Sequence, residues 1–452
     1  MAVKTTTDDK VIQDEEFIIS SISSKREILD AARAKELLLA LFRAGENDIT
    51  VKKVSLSGKS FSPEAARVAC EALKGVVKDL HELDISDIIA GQPEEAAKEA
   101  LGEICSAFGE AKDLEWLDVS DNALGRKGVS RMEPLLSRQT KLKHVYFCNN
   151  GLAADAAELL IKFLADSGKL ETFHFHNNLL ESAGAEVLSK LIKGLNHLKS
   201  FRFSTTRGTS LGIAALSKAL STCAESLTEL EFTDNTVTPE GAKAVADLIR
   251  STSKLNALRL RDCSLDDEGV VAILSAAAEE SDCAIKILDI SGNDITEDGA
   301  NDVAEHLTAL KKLERVWMED NELGEGAYVL TQALSGAPLK QIDLSCCEIG
   351  TQTGCKIVKL LRKQSSVEKV GLNGNMLSGV FVKQVQGIFE DRLGDMSDND
   401  SDGEEFELDK ADDEENLQNS DKKELHTKKG RENAGDKEIA EVTKMLDEKL
   451  SL

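Results

Sequence analysis

A short sequence pattern returns about every 29 residues over most of the chain, and this period restricts the fold more than any other feature. Its clearest copy is LDVSDNALGRKG at 117–128, and we take Asn122 as the marker of the unit. Asparagine fills the same slot in six further copies: Asn150, Asn178, Asn235, Asn293, Asn321 and Asn375. Other residues fill it in five copies: Lys59, Ile88, Thr206, Cys263 and Cys347. Twelve such units predict a leucine-rich-repeat solenoid.

Within one unit, the apolar residues change from strand spacing to helix spacing. Apolar residues lie five and three positions before the marker, as Leu288 and Ile290 precede Asn293, with a polar residue between them. After the marker, apolar residues follow at two and ten positions, with Gly at six and Ala or Val at seven, which is typical of a helix lying on its strand. The pattern predicts an α/β, ribonuclease-inhibitor-like horseshoe of about twelve repeats, with a parallel inner sheet and outer helices.

Charge and composition restrict the kind of partner. The formal net charge is −26, which argues against nucleic acid or an anionic membrane and favours a basic protein. The nine cysteines form no CxxC pair, as expected for reduced thiols in a cytosolic or nuclear protein. The N-terminus has no apolar leader, and no stretch approaches the roughly 18 apolar residues of a membrane span, so we expect neither secretion nor membrane insertion.

The period also sets the expected domain boundaries. Residues 1–24 are polar and predicted to be a flexible N-terminus, and residues 25–50 are predicted to hold a helix, mainly over 25–44, that caps the array. The repeat domain is predicted to span 51–393. Residues 394–435 are predicted to be an acidic disordered tail, because 395–415 carry twelve acidic side chains and one basic one. A short amphipathic helix could form over 436–452.

No motif for catalysis is present. The chain lacks a phosphate loop, a metalloprotease motif and a nucleophile elbow, so we expect no active site of its own, no cofactor and no metal. His174 and His176 lie two apart on one predicted strand face, beside His144 and Tyr146 of the previous strand. A metal site and a concave recognition surface both remain open for them. Trp116 and Trp317, on the same inward face, could each anchor a partner or merely cover their neighbours.

One unit is irregular. The second unit is the longest, with 34 residues from slot 88 to slot 122, and its turn carries the sequence DIIAGQPEEAAKEA. An enlarged loop there would rise beside Asn122, and insertions on one side of a solenoid commonly mark a binding face. Asn122 itself has a structural explanation, since a repeated asparagine can hydrogen-bond the backbone of the neighbouring unit in a ladder.

Four segments together resemble one known family. They are SDNALG at 120–125, LDISDIIAGQPEEA at 83–96, SFSPEAARVA at 60–69 and GLNGNMLSGVFVKQVQGIFEDRL at 371–393. With the asparagine repeat and the acidic tail, they resemble the plant-type GTPase-activating proteins of the small GTPase Ran, over roughly residues 50–415. The resemblance implies binding of Ran in its GTP form along one edge of the horseshoe and stimulation of its GTP hydrolysis without an arginine finger.

The resemblance also implies roles for particular residues. Asn122 matches the family asparagine that is thought to orient the catalytic glutamine of the GTPase, and Asp87, Gln92, Asp121 and Asn150 are the expected partner contacts. A role in nucleocytoplasmic transport follows, with Ran-binding proteins as possible further partners. We expect a monomer in the cytoplasm, and a perinuclear position is left open.

The sequence departs from the family in two places. Gln92 stands where the family usually has Arg in an AGR segment, which removes a cation expected to contact the GTPase. Only about 50 residues precede the array, without the Trp-Pro-Pro targeting domain of plant-type members, so we do not expect nuclear-envelope anchoring by that route. Two alternatives therefore stay open: a non-activating scaffold resembling ribonuclease inhibitor that captures a basic protein, and a family member that binds Ran without activating it.

Overall fold

The fold is a solenoid whose strands form one continuous sheet. The computed structural model describes residues 12–13, 15–137, 139–279 and 282–399. The strands in these ranges are β1 (Ile12–Gln13), β2 (Glu16–Ile18), β3 (Ile28–Leu29), β4 (Lys53–Ser55), β5 (Ser60–Phe61), β6 (Glu82–Asp84), β7 (Trp116–Asp118), β8 (His144–Tyr146), β9 (Thr172–His176), β10 (Ser200–Ser204), β11 (Glu229–Glu231), β12 (Ala257–Arg259), β13 (Ile287–Asp289), β14 (Arg315–Trp317), β15 (Gln341–Asp343) and β16 (Lys369–Gly371). β3 and β5 pair with each other, and the other fourteen follow one another in chain order across the sheet.

A helix follows nearly every sheet strand and packs against the helices of the neighbouring units. The helices are α1 (Ile19–Ile22), α2 (Ala31–Leu37), α3 (Leu39–Glu46), α4 (Pro63–Leu73), α5 (Glu94–Ala107), α6 (Gly125–Arg131), α7 (Glu133–Leu136), α8 (Ala154–Phe163), α9 (Glu181–Ile192), α10 (Ser210–Leu220), α11 (Thr238–Ser251), α12 (Asp266–Ala278), α13 (Ala300–Leu307), α14 (Gly326–Ala333), α15 (Thr351–Leu361) and α16 (Gly379–Phe389). Apart from the antiparallel β1–β2 pair, the main sheet is parallel.

The change of apolar spacing within each unit explains this architecture. Leu288 and Ile290 before the marker are fully buried under the sheet, and the small residues after it let helices approach closely. At Gly212 an added Cβ would lie 2.8 Å from the Cα of Ser182 in the preceding helix, so a larger residue would push the two helices apart. The predicted α/β leucine-rich-repeat solenoid, with a parallel sheet and helices on the other side, is confirmed.

The N-terminal end of the array differs from the prediction. Residues 15–24, which were expected to be flexible, contain a strand, Glu16–Ile18, that pairs in parallel with Lys53–Ser55. Phe17 and Ile19 are fully buried. The first repeat strand would otherwise leave one edge and its apolar side uncovered, and this segment covers both.

The predicted capping helix over 25–44 is in fact a strand followed by two shorter helices. Ile28 and Leu29 pair with Ser60 and Phe61, so they cannot belong to a helix. Asp30 then caps α2, because its Oδ1 accepts the N–H of Arg33 at 2.8 Å.

The repeat also continues past its predicted end at residue 393. Leu393 bridges Val370 in parallel, Met396 is buried, and Asn399 Oδ1 accepts the N–H of Asn375 at 2.9 Å. Residues 394–399 are therefore a short final unit that completes the last turn. The rest of the predicted acidic tail, and the possible helix over 436–452, lie outside the described residues. No helix in the described ranges is long and apolar enough to span a bilayer.

Candidate functional site: the rim beside the second unit

The marker residues form a hydrogen-bond ladder through the turns of the sheet. In a regular unit such as that of Asn293, Oδ1 accepts the N–H groups of Cys263 and Leu265 in the preceding unit, at 3.1 and 3.3 Å. The Nδ2 of Asn293 donates to the carbonyl of Leu260 at 2.7 Å. The side chain is fully buried, and each unit thus satisfies backbone groups of the unit before it.

The non-asparagine slots keep part of this ladder. Cys263 and Cys347 are buried, and their thiols donate to the carbonyls of Phe232 and Met318 at 3.4 and 3.1 Å. Burial raises the pKa of both thiols, so they stay protonated donors. All nine cysteines are free thiols.

Asn122 and Asn150 belong to the ladder, but their Oδ1 atoms accept fewer hydrogen bonds than that of Asn293. Both are buried, with exposed fractions of 3% and 0%. Asn122 Oδ1 accepts the N–H of Ile88 at 2.9 Å, and Asn150 Oδ1 accepts the N–H of Asn122 at 3.0 Å. In the described chain each of these two oxygens accepts one hydrogen bond, whereas the Oδ1 of Asn293 accepts two. Each of these two oxygens therefore holds one backbone amide of the preceding unit instead of two.

Asn122 holds the irregular loop directly. Its Nδ2 donates to the carbonyl of Ile85 at 2.8 Å, at the start of the loop, while its Oδ1 binds the Ile88 amide within it. The N–H of Asp87 donates to the carbonyl of Ser120 at 3.0 Å. The predicted proximity of the loop to Asn122 is therefore present, and the Asn122 side chain and the Asp87–Ser120 backbone bond join the two.

A row of polar residues, which we call the rim row, lies one position before the markers at the carboxyl ends of the strands. It comprises Asp87, Asp121, Asn149 and Asn177, whose φ angles of +51°, +63°, +54° and +52° are left-handed. Asp and Asn tolerate this conformation better than other residues with a side chain. Asn149 Nδ2 donates to Asp121 Oδ1 at 2.7 Å, and Asn177 Nδ2 donates to Asn149 Oδ1 at 2.9 Å. The last three are exposed, so this row presents polar atoms to solvent.

The side-chain amide of Gln92 forms hydrogen bonds within the protein instead of pointing into solvent. Its Nε2 donates to Ser60 Oγ at 3.0 Å and to the carbonyl of Phe61 at 2.7 Å. The side chain is half-buried, and it ties the end of the loop to β5. The loop therefore presents no cation at this position.

Arg26 brings a cation to this edge that the sequence analysis did not identify. Its Nη2 lies 2.5 Å from Asp87 Oδ1, and 68% of its side chain is exposed. The pairing of β3 with β5 places residue 26 there, although 61 residues separate it from Asp87. Asn149 was also missed, but the Asp or Asn that precedes seven of the twelve markers was a signal that could have found it.

The predicted site residues thus occupy three different positions. Asp87 and Asp121 lie on the rim row, with Gln92 at the far end of the loop behind them. Asn122 and Asn150 lie beneath the row as buried supports. Whether Asn122 acts on a bound GTPase stays a prediction, since in this conformation its side chain is engaged within the chain.

The inner-face histidines bind hydroxyl groups. His144 Nδ1 lies 2.9 Å from Thr172 Oγ1, and His174 Nε2 lies 2.9 Å from Ser200 Oγ. Burial, together with nearby Arg202 and His144, lowers the pKa of His174 to about 4. In the part of the chain that the structure describes, no three His, Cys, Asp or Glu side chains are arranged to hold a metal ion.

The fold and the ladder define a leucine-rich-repeat protein of the ribonuclease-inhibitor type. The family profile described as "Leucine Rich repeat" matches residues 224–246, 253–274 and 283–304. RAN GTPase-activating protein 2 of Arabidopsis thaliana is 36% identical over 405 residues, covering 88% of this chain and 73% of that protein. The chain belongs to the Ran GTPase-activating protein family.

Two further relatives match over shorter stretches. RAN GTPase-activating protein 1 of Arabidopsis thaliana is 34% identical over 137 residues, or 30% of this chain and 25% of that protein. Ribonuclease inhibitor of Mus musculus is 29% identical over 153 residues, or 33% of each chain. The second of these agrees with the repeat type that the sequence pattern predicted.

Proposed function

We propose that this protein is a GTPase-activating protein for the small GTPase Ran, which binds Ran in its GTP form along the rim row and accelerates hydrolysis. Membership of the family supports the general activity. The observation that carries the choice of surface is the joint between the irregular loop and the SDNALG turn, in which Asn122 bonds both Ile85 and Ile88. A rigid, polar edge of this kind can position a partner's own catalytic groups without taking part in the chemistry.

We further propose that no arginine of this chain enters the nucleotide site of Ran. Gln92 holds the loop to β5 and carries no charge, and Arg26 is already paired with Asp87. Arg126, the next arginine near the turn, donates to the carbonyl of Asp155 at 2.5 Å. An arginine finger would be worth about 10³- to 10⁵-fold in rate, so its presence or absence is easy to measure.

The test is single-turnover hydrolysis of GTP by Ran, with this protein present in catalytic amounts. We expect a many-fold acceleration that requires Ran, and retained acceleration in Arg26→Ala and Arg126→Ala. A loss of about 10³-fold or more in either variant, with binding preserved, would show that an arginine finger operates. Binding of Ran without acceleration would instead favour the non-activating member of the family, and failure to bind would favour a scaffold for another basic protein.

The cellular part of the proposal is activity in nucleocytoplasmic transport from a cytoplasmic location. A fluorescently tagged full chain should lie in the cytoplasm, with or without enrichment around the nucleus. Nuclear accumulation would contradict this part without affecting the hydrolysis assay. Oligomeric state is measured in the same preparation by light scattering, where we expect a monomer.

A further inference from the structure

The inner face of the sheet carries a second surface, separate from the rim row. It consists of Trp116, Tyr146, His174, Asp84 and Asp118, which we call the inner-face patch. We propose that this patch is a docking site for an arginine- or lysine-rich extended segment of a partner protein. The proposal does not depend on the proposed activity toward Ran, because it concerns a different face of the molecule and a different ligand.

Three rings form the apolar part of the patch. The ring centroids of Trp116 and Tyr146 lie 5.4 Å apart at 46°, and those of Tyr146 and His174 lie 5.2 Å apart at 88°. All three side chains are half-buried, so one side of the cluster is open while the other is fixed by packing. Preorganised aromatic clusters of this kind are common anchors at protein interfaces.

Two carboxylates form the acidic part. Asp84 and Asp118 are register partners on neighbouring parallel strands, so they lie side by side on the same face. Their hydrogen bonds in the described ranges come from serines: Ser55 and Ser86 donate to Asp84, and the Ser120 amide donates to Asp118. Among the described residues, neither Asp84 nor Asp118 forms an ion pair, and burial, with the nearby charges of Asp84 and Asp121, raises the pKa of Asp118.

Other parts of the inner face are neutralised from within the chain. Glu231 is paired with Arg202 at 2.8 Å, and Glu319 with Arg261 at 2.7 Å. His174 is neutral near pH 7, and its register partner Arg202 is engaged by Glu231, so the five residues of the patch themselves carry no positive charge. A guanidinium or ammonium group can lie on the ring faces and satisfy the two carboxylates together. Nucleic acid is excluded by the same carboxylates.

The chain provides a matched control on the same face. Trp317 lies between two acidic register partners, Asp289 and Asp343, whereas the register partners of Trp116 are Glu82 and His144. There, however, Arg259 is the register partner of Asp289 on its other side. The two places share a tryptophan and two carboxylates on one face, and they differ in the arrangement of the carboxylates and in the arginine beside Asp289.

The test is the affinity of the full-length protein for a fluorescently labelled hexa-arginine peptide, measured by polarisation at 0.15 M salt. We expect Trp116→Ala with Asp118→Asn to weaken binding about tenfold or more, as loss of a cation–π contact and a charge predicts. The matched pair, Trp317→Ala with Asp343→Asn, should change it less than about twofold. Equal losses in both pairs, or no loss in the first, would overturn the proposal, since binding would then follow net charge alone.

The single variant Asp118→Asn keeps the shape of the side chain and protects the test against unfolding. We expect it to weaken peptide binding about threefold with an unchanged circular dichroism spectrum. Full affinity in a folded Asp118→Asn protein would remove the acidic half of the proposal. A hexaglutamate peptide should not bind, and binding of it would likewise contradict the assignment.

Discussion

Asn122 has a structural role in the ladder and a proposed role in activation. Comparing the effects of Asn122→Ala and Asn293→Ala on stability and on activation separates the two roles. Replacing Asn122 with alanine leaves the amide of Ile88 and the carbonyl of Ile85 without the partners that the side chain provides. Val119 and Ser120 keep other donors, from Asn150 Nδ2 and the Asp87 amide. Two unpaired buried groups cost about 1–3 kcal/mol each, so we expect a loss of about 2–6 kcal/mol in the stability of this region.

Asn293→Ala removes the same kind of contact elsewhere in the array. It leaves the amides of Cys263 and Leu265 and the carbonyl of Leu260 without partners, three groups instead of two. Its cost in stability should be at least as large as that of Asn122→Ala. It lies several units away from the loop that Asn122 holds, and coupling in a solenoid is mainly between neighbours.

The assay is single-turnover hydrolysis of GTP by Ran, stimulated by each variant, with urea unfolding of each variant measured alongside. A displacement of about 1 Å in a positioning element can cost about 100-fold in rate, so we expect Asn122→Ala to lose about 10- to 100-fold and Asn293→Ala less than about twofold. Wild-type activity in both variants would refute a special role for Asn122. An equal loss of activity in both variants would mean that ladder stability, and not the rim, controls activation.

Three further predictions follow from single residues. Ala123 has φ +46°, so Ala123→Gly should leave the unfolding free energy unchanged or raise it by up to about 1 kcal/mol, and a clear loss in urea unfolding would contradict this. The pKa of His174 is lowered to about 4, so the folded protein disfavours the protonated ring, and its free energy of unfolding is highest above about pH 6.5 and falls as the pH falls towards 4. Between pH 7.5 and 5 the free energy of unfolding of the wild type should fall by about 2 kcal/mol more than that of His174→Gln. Parallel curves of unfolding free energy against pH for the two proteins would exclude the effect. Asn399→Ala should expose the amide of Asn375, seen as faster hydrogen exchange there with the rest of the array unchanged, and unchanged exchange would show that the final unit adds no protection.

The repeat could be predicted from sequence because each unit is specified by residues close together in the chain. The apolar spacing around Asn293 fixes a strand, a turn and a helix locally, and parallel stacking of equal units then fixes the sheet. Even the degenerate slot at Ile88 could be located by spacing. Its backbone amide takes the ladder bond although its side chain cannot, which explains why a non-polar residue is tolerated there.

The ends of the array could not be predicted because their structure depends on what they cover. Glu16–Ile18 is too short to show a strand period, and it exists as a strand because the edge of β4 is there to pair with it. The final unit around Met396 lies at the start of an acidic stretch, so composition hid one buried apolar residue and one ladder asparagine.

The candidate site could be predicted only in part, because some of its contacts also join segments that are distant in the chain. The joining of the loop to Asn122 followed from the extra length of one unit. Three details could not be read from the sequence: the inward direction of Gln92, the burial of Asn150 and the arrival of Arg26 at Asp87. Each depends on contacts between segments that are distant in the chain, which no local spacing encodes.

The ladder also imposes an order on how the protein is made. Each marker asparagine satisfies amides and carbonyls of the unit before it, so every turn is completed by residues that are synthesised later. While the chain emerges from the ribosome, its newest turn therefore always has backbone groups awaiting a partner. Asn399 provides that partner for the turn of Asn375. A ribosome that stopped before residue 399 would release an array whose last turn is open to water or to another chain.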